Sequence, residues 1–239
     1  MVVDIFIPCF IDQVYPETGM NMVKVLEHLD VGVHYNTEQT CCGQMAFNSG
    51  YWNEAKAIGE KFIKEFSNNR YIVCPSASCV GMVKNYYPFL FHNTALHNEY
   101  KSLRKNIYEF TDFLVNVLNV TNVGAKLEAV ATYHEACAAR REYGLKDQPL
   151  VLLRNVKGLI MREMKDIESC CGFGGTFAVK HEAISTAMAE QKIKYALETD
   201  AQYIISTEAS CLMHLEGYAN KNNKPVKCMH IIDVLAQGY

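Results

Sequence analysis

Three features are missing from this 239-residue sequence, and each absence removes a class of function. No stretch approaches the roughly 18 apolar residues of a membrane span. The run Tyr86-Tyr87-Pro88-Phe89-Leu90-Phe91 is apolar but short, and proline interrupts it. No span is therefore expected. Basic residues are not in excess: 23 Lys and Arg stand against 26 Asp and Glu, a formal charge of −3. Nucleic-acid binding usually needs a basic face, so no nucleic-acid partner is expected. The first residues, Met1-Val2-Val3-Asp4, carry an acid where an export signal would carry lysine or arginine, so a cytoplasmic location is expected.

The remaining composition is ordinary for a globular chain, 49% hydrophobic and 21% charged. The length suits two domains of about 120 residues, each able to bury a core. What stands out is ten cysteines. In a chain without an export signal they favour metal or redox chemistry over structural disulfides. Cys41-Cys42-Gly43 in the first half is matched by Cys170-Cys171-Gly172 in the second. A lone cysteine precedes each pair, Cys9 or Cys137, and another follows, Cys79 or Cys211. The intervals are 31 and 32 residues before the pair, then 36 and 39 after it. Two copies of one unit explain this spacing. Tyr71 to Cys79 aligns with Tyr203 to Cys211 at five identical positions of nine, and Asp112 aligns loosely with Asp233. Eight cysteines thus fall into two sets of four. Cys74 aligns with Ser206 and Cys228 has no counterpart, so both are expected to be buried thiols acting as small apolar side chains.

Periodicity gives an α/β fold. Val2 to Phe10 reads as a strand ending at Cys9, Glu17 to Leu29 as a helix and Val31 to Tyr35 as a strand. Glu54 to Phe66 reads as a helix, Tyr71 to Val73 as a strand, Val80 to Tyr86 as a helical start, and Tyr108 to Leu118 as a closing helix capped by Thr111 or an earlier residue. After a linker at Asn119 to Gly124 the order repeats. Leu127 to Tyr133, Gly158 to Met164, Tyr203 to Ser206 and Val226 to Met229 are strands. Asp147 to Val156, Glu182 to Leu197 and Ile231 to Ala236 are helices. The expectation is two tandem, pseudo-symmetric Rossmann-like units, residues 1–120 and 125–239, each a parallel sheet flanked by helices. Ligands in such sheets bind beyond the carboxyl ends of the strands, where all eight paired cysteines fall.

Thiolates suit iron–sulfur clusters and soft metals. Gly43 and Gly172 allow close backbone approach and positive φ, and following helices offer free N–H groups to anionic sulfur. Arg140 and Arg141, just after Cys137, are candidates to balance cluster charge, with a solvated helix face as the plainer reading. His134, three residues before Cys137, reads as a structural hydrogen-bonder, since Phe6 takes its place in the first copy. Gly172-Phe173-Gly174-Gly175 lacks the G-x-G-x-x-G spacing and downstream acid of a dinucleotide site.

The doubled Cys…Cys-Cys-Gly…Cys arrangement resembles the cysteine-rich CCG-domain family, which includes the cysteine-rich subunit of heterodisulfide reductase and the iron–sulfur subunit of glycolate oxidase. The stretches Cys41 to Gly50 and Cys170 to Lys180 resemble most the members of that family that serve lactate utilisation. The resemblance covers essentially the whole chain. It implies a cytoplasmic iron–sulfur electron-transfer subunit of an L-lactate-oxidising complex. One cluster, of [4Fe-4S] type, would sit in each half, on Cys9, Cys41, Cys42 and Cys79 and on Cys137, Cys170, Cys171 and Cys211. Its implied partners are a ferredoxin-like iron–sulfur subunit and a third accessory subunit. The sequence departs from the fuller family pattern, which ends each motif in Cys-x-x-Cys. The fifth positions are Met82 and His214, so His214 has no ligand counterpart in the first copy. Two zinc sites, a structural role without metal, disulfides, and a heterodisulfide-reductase-like thiol–disulfide oxidoreductase are the alternatives.

Overall fold

The computed structural model describes residues 1–239. Its eight strands are short: β1 (Val2–Ile5), β2 (Gly32–Tyr35), β3 (Ile72–Cys74), β4 (Ile107–Glu109), β5 (Lys126–Tyr133), β6 (Lys157–Met161), β7 (Tyr203–Ser206) and β8 (Lys227–His230). They form two four-stranded sheets of the same order, β2-β1-β3-β4 and β6-β5-β7-β8. Every pairing is parallel. Parallel strands need helical crossovers that cover both faces, so the inner strands are apolar runs rather than alternating ones. Ile72, Val73 and Cys74 of β3 are all fully buried. In each sheet the chain places its second strand on one side of the first and its third on the other. That switch opens a crevice beyond the carboxyl ends of β1 and β3, and of β5 and β7. Cys9 and Cys79 follow β1 and β3, and Cys137 and Cys211 follow β5 and β7.

The elements depart from the sequence expectations at several places. β1 ends at Ile5, and Cys9 opens a helix, Cys9–Val14, instead of closing a strand. Pro8 explains the break, because it cannot donate to a ladder and its fixed φ suits a helix start. The helix expected over Tyr108 to Leu118 begins as β4, and its cap is the Glu109 carboxylate, which accepts from the Thr111 and Asp112 N–H groups. Cys79 lies in the first turn of helix Ala77–Gly81, and Cys211 in the first turn of helix Ala209–Lys221, a helix that periodicity does not mark. The helix His97–Asn106 has no counterpart among the elements expected from periodicity.

The sheets are separate, but they share their largest core. It joins Val3, Ile5, Met22, Val25 and Leu26 of the first half to Ala131, Leu152, Ile231 and Val234 of the second. The last helix of each half docks on the first long helix of the other. Ile231–Leu235 lies against Pro16–His28, and Phe110–Asp112 lies against Gln148–Arg154. Each docking is fastened by the aspartates that align in the repeat. Asp233 accepts from Thr18 Oγ1 at 2.8 Å and Asn21 Nδ2 at 3.0 Å. Asp112 accepts from the Tyr143 hydroxyl and from Gln148 Nε2. The closing helix of each half thus packs on the other half.

Candidate metal centre

The first set of four converges. Cys9, Cys41, Cys42 and Cys79 line one cavity of about 70 Å³. Cys9 Sγ and Cys41 Sγ are 3.8 Å apart. The second set, Cys137, Cys170, Cys171 and Cys211, lines a cavity of about 170 Å³. Burial matches in three of the four aligned pairs. Cys42, Cys79, Cys171 and Cys211 are buried, while Cys41, Cys137 and Cys170 are half-buried and Cys9 is exposed. Gly43 and Gly172 take φ of +84° and +97°, and their N–H groups point at Cys41 Sγ (3.3 Å) and Cys170 Sγ (3.4 Å). A Cβ at Gly172 would stand 2.5 Å from the Ser185 carbonyl oxygen, so close approach as well as φ requires glycine there. The two unmatched cysteines stay outside both sets. Cys74 is buried in the first-half core, and Cys228 packs half-buried beside the second.

The electrostatics are those of thiols waiting for a cation. Hydrogen bonds from the Cys42 and Cys9 thiols push the Cys41 thiol down to about 3. Its counterpart Cys170 is likewise lowered, by Cys137 and then Cys171. The donors Cys9, Cys42, Cys137 and Cys171 are all pushed up, led by that same sharing. One thiolate forms readily in each set, and further ionisation meets like charge and burial. A bound cation removes that obstacle, so the donor set fits a thiophilic metal.

Two lysines without a motif of their own serve the paired-cysteine loops. Lys192 is buried, and its Nζ donates to the Asp166 carbonyl (2.9 Å), the Ile167 carbonyl (2.8 Å) and Ser169 Oγ (3.1 Å). Burial lowers it to about 8, while Cys171, Asp166 and Cys170 favour its charge. Lys61 reaches the Glu38 carbonyl in the first copy. Each lysine lies five residues before the end of its helix, Trp52–Phe66 or Glu182–Leu197, which is the signal a closer repeat comparison offers. The candidates Arg140 and Arg141 do not face the thiols. Arg140 is bound to Glu135 and Glu168 at 2.9 Å, and Arg141 is exposed.

The two histidines beside the second set differ in their surroundings. His214 Nε2 is 3.1 Å from Ser185 Oγ and 3.4 Å from the Ser185 carbonyl oxygen. A ring nitrogen of His134 lies within 4.8 Å of Cys171 Sγ and Cys211 Sγ. Neither of its ring nitrogens has a hydrogen-bond partner, so the structural hydrogen bond expected of its side chain is not made. Burial, then Lys192, holds its imidazole down to about 3.

The two cavities share a wall. Gln44, Met45, Ser78, Phe173, Glu208 and Ser210 line both. Glu208, from the second half, is buried and accepts from the Ser78 N–H (2.7 Å), Ser78 Oγ (2.9 Å) and Ser76 Oγ (3.1 Å) of the first. Ser76 Oγ in turn accepts from the Cys79 N–H. Phe173 stacks edge-on against Phe10 at 5.6 Å.

The cysteine-rich domain family named CCG matches residues 3–84 and again residues 131–216. A protein named lactate utilization protein A 2 from Bacillus cereus (strain Q1) is 41% identical over 239 residues, covering 100% of this chain and 99% of its own. One named lactate utilization protein A from Geobacillus kaustophilus (strain HTA426) is 44% identical over 236 residues, 98% of each chain. Among solved structures, a hypothetical protein from Helicobacter pylori superposes with a TM-score of 0.57 at 10% identity, over 100% of this chain and 49% of that one, which is a likeness of fold. The doubled cysteine unit, matched in both halves and along the full length of these relatives, makes the chain a member of the CCG cysteine-rich domain family, among the lactate utilization A proteins.

Proposed function

We propose that this chain is an iron–sulfur electron-transfer subunit in lactate utilisation, acting within a cytoplasmic complex that oxidises L-lactate. The observation that carries the reading is the convergence of eight thiols into two matched sets on either side of one shared wall. Cys9, Cys41, Cys42 and Cys79 would hold one cluster, and Cys137, Cys170, Cys171 and Cys211 the other. Such clusters, of [4Fe-4S] type, ordinarily carry one electron each at potentials set by charge, hydrogen bonding and exposure. The chain's own residues then tune and insulate: Gly43 and Gly172 donate N–H groups to sulfur, and Phe173 and Met45 separate the two sets.

Oxidising a 2-hydroxy acid removes two electrons together, which calls for an organic hydride acceptor. The glycine-rich loop after Cys171 is not a dinucleotide site. The acceptor therefore belongs to partner subunits, a ferredoxin-like iron–sulfur protein and a third accessory subunit. No helix is long and apolar enough to cross a membrane. A second reading, zinc, draws on one distance. Ligands about 2.3 Å from a tetrahedral metal stand roughly 3.8 Å apart, and Cys9 and Cys41 are 3.8 Å apart.

The test is anaerobic reconstitution with iron and sulfide, then assay of the loaded chain alone with L-lactate and an artificial electron acceptor. Brown colour with no turnover, and turnover only once partner subunits are added, is the expected result. Sustained turnover by the isolated chain would overturn the relay reading. Colourless protein carrying zinc would replace iron–sulfur with the second reading.

A further inference from the structure

The two sites are built from copies of one unit, yet one residue breaks the copy at the metal. The Phe6 N–H donates to the Val73 carbonyl at 3.0 Å, and the His134 N–H donates to the Ile205 carbonyl at 2.8 Å. The two residues therefore occupy one backbone position, just past the first strand of each sheet. In the first half that position carries a phenyl ring packed edge-on against Phe62 (4.8 Å) and Phe66 (5.8 Å). In the second it carries an imidazole. His134 is 0% exposed, its backbone is fixed further by Ser206 Oγ, and both ring nitrogens lack a partner. A buried polar group without a hydrogen bond is costly and calls for an explanation. The explanation lies beside it: a ring nitrogen of His134, Cys171 Sγ and Cys211 Sγ all lie within 4.8 Å of one another.

We propose that His134 is a nitrogen donor to the second metal centre, so that this centre takes a mixed cysteine–histidine ligand set while the first is thiolate only. The inference rests on the reading that the thiols hold metal and deepens it. Imidazole and thiolate together suit borderline-soft divalent ions and iron. Where that nitrogen takes the place of one of the four thiolates on the metal, the centre carries less negative charge and a higher potential, as where histidines replace cysteines on iron–sulfur clusters. The two sites are then unequal by construction, and the second is the better electron acceptor.

Two measurements test this without relying on activity. In the chain reconstituted with iron and sulfide and then reduced, pulsed EPR should reveal a strongly coupled nitrogen. Labelling histidine with 15N should change that signal, and His134→Phe should abolish it while His214→Phe leaves it. In the metal-free reduced chain titrated with cobalt(II) alone, wild type should show two spectrally distinct sites. His134→Phe should make the second resemble the first and weaken it by roughly tenfold or more. Unmutated, labelled protein keeps the test independent of whether the variant folds. Iron loading without a histidine nitrogen would overturn His134 and leave the proposed function standing. A chain that takes no iron would remove the iron–sulfur reading, and the cobalt spectra would still decide the ligand. Two identical cobalt sites, or a signal surviving in His134→Phe, would also overturn the assignment.

Discussion

Glu208 is the residue whose removal speaks most directly to the wall between the sites. It is buried, it crosses from one half to the other, and burial raises it from an ordinary 4.5 to about 7. Between those values the folded chain keeps a proton that the unfolded chain has released, so stability falls as pH rises from about 4.5 and levels off above about 7. Each unit of displacement corresponds to about 1.4 kcal/mol, so the group alone removes about 3 kcal/mol across that window. Glu208→Gln replaces the neutral acid with a neutral group of the same shape. At pH 5 it should lie within about 1 kcal/mol of wild type, because one oxygen still accepts from Ser78. At pH 8 wild type carries a buried charge that the variant lacks, and the variant should gain about 3 kcal/mol relative to its position at pH 5. Urea unfolding of the metal-free, reduced chains at both pH values measures this. A gap between variant and wild type that moves by less than about 0.5 kcal/mol would refute the reasoning.

Three further outcomes follow from the same contacts. Asp233→Ala strips Thr18, which is 1% exposed, of its partner and should cost about 2–4 kcal/mol, or roughly 5–10 °C in Tm; pairing it with Thr18→Ala should cost less than the sum of the two in calorimetry. Lys192→Met frees the loop before Cys170, so dialysis against a chelator should empty the second site first while the first keeps its metal. Cys74→Ser should leave metal per chain unchanged by elemental analysis, because Ser206 already stands at that place in the second copy, and loss of half the metal would put Cys74 in the first site.

Much of the fold is readable in the sequence because it repeats. The helix Glu182–Leu197 and strand Tyr203–Ser206 fall where periodicity puts them, and the eight paired cysteines separate from Cys74 and Cys228 by alignment alone. What escapes is what the repeat does not share or what three residues cannot signal. β4 is too short to show a period, and its capping carboxylate, Glu109, looks like any helix-start acid in a sequence. Glu208 aligns with Ser76, so comparison of the copies hides it. His134 is discounted in the sequence because Phe6 stands opposite. The structure turns that argument round: the mismatch marks where the two sites differ. The docking of Ile231–Leu235 on Pro16–His28 has no local trace, since it depends on contacts more than 200 residues apart in sequence.

That docking also sets the order in which the chain is completed. The helix Pro16–His28 presents Met22, Val25 and Leu26 to a cover supplied by Ile231–Leu235. At roughly 5–20 residues per second of synthesis, that cover arrives on the order of 10–40 s after the face it protects. Through that interval a nascent chain carries an open apolar stripe beside Cys9, Cys41, Cys42 and Cys79, whose strands can already pair. The first site is therefore exposed to metal delivery, and to oxidation, well before the second exists.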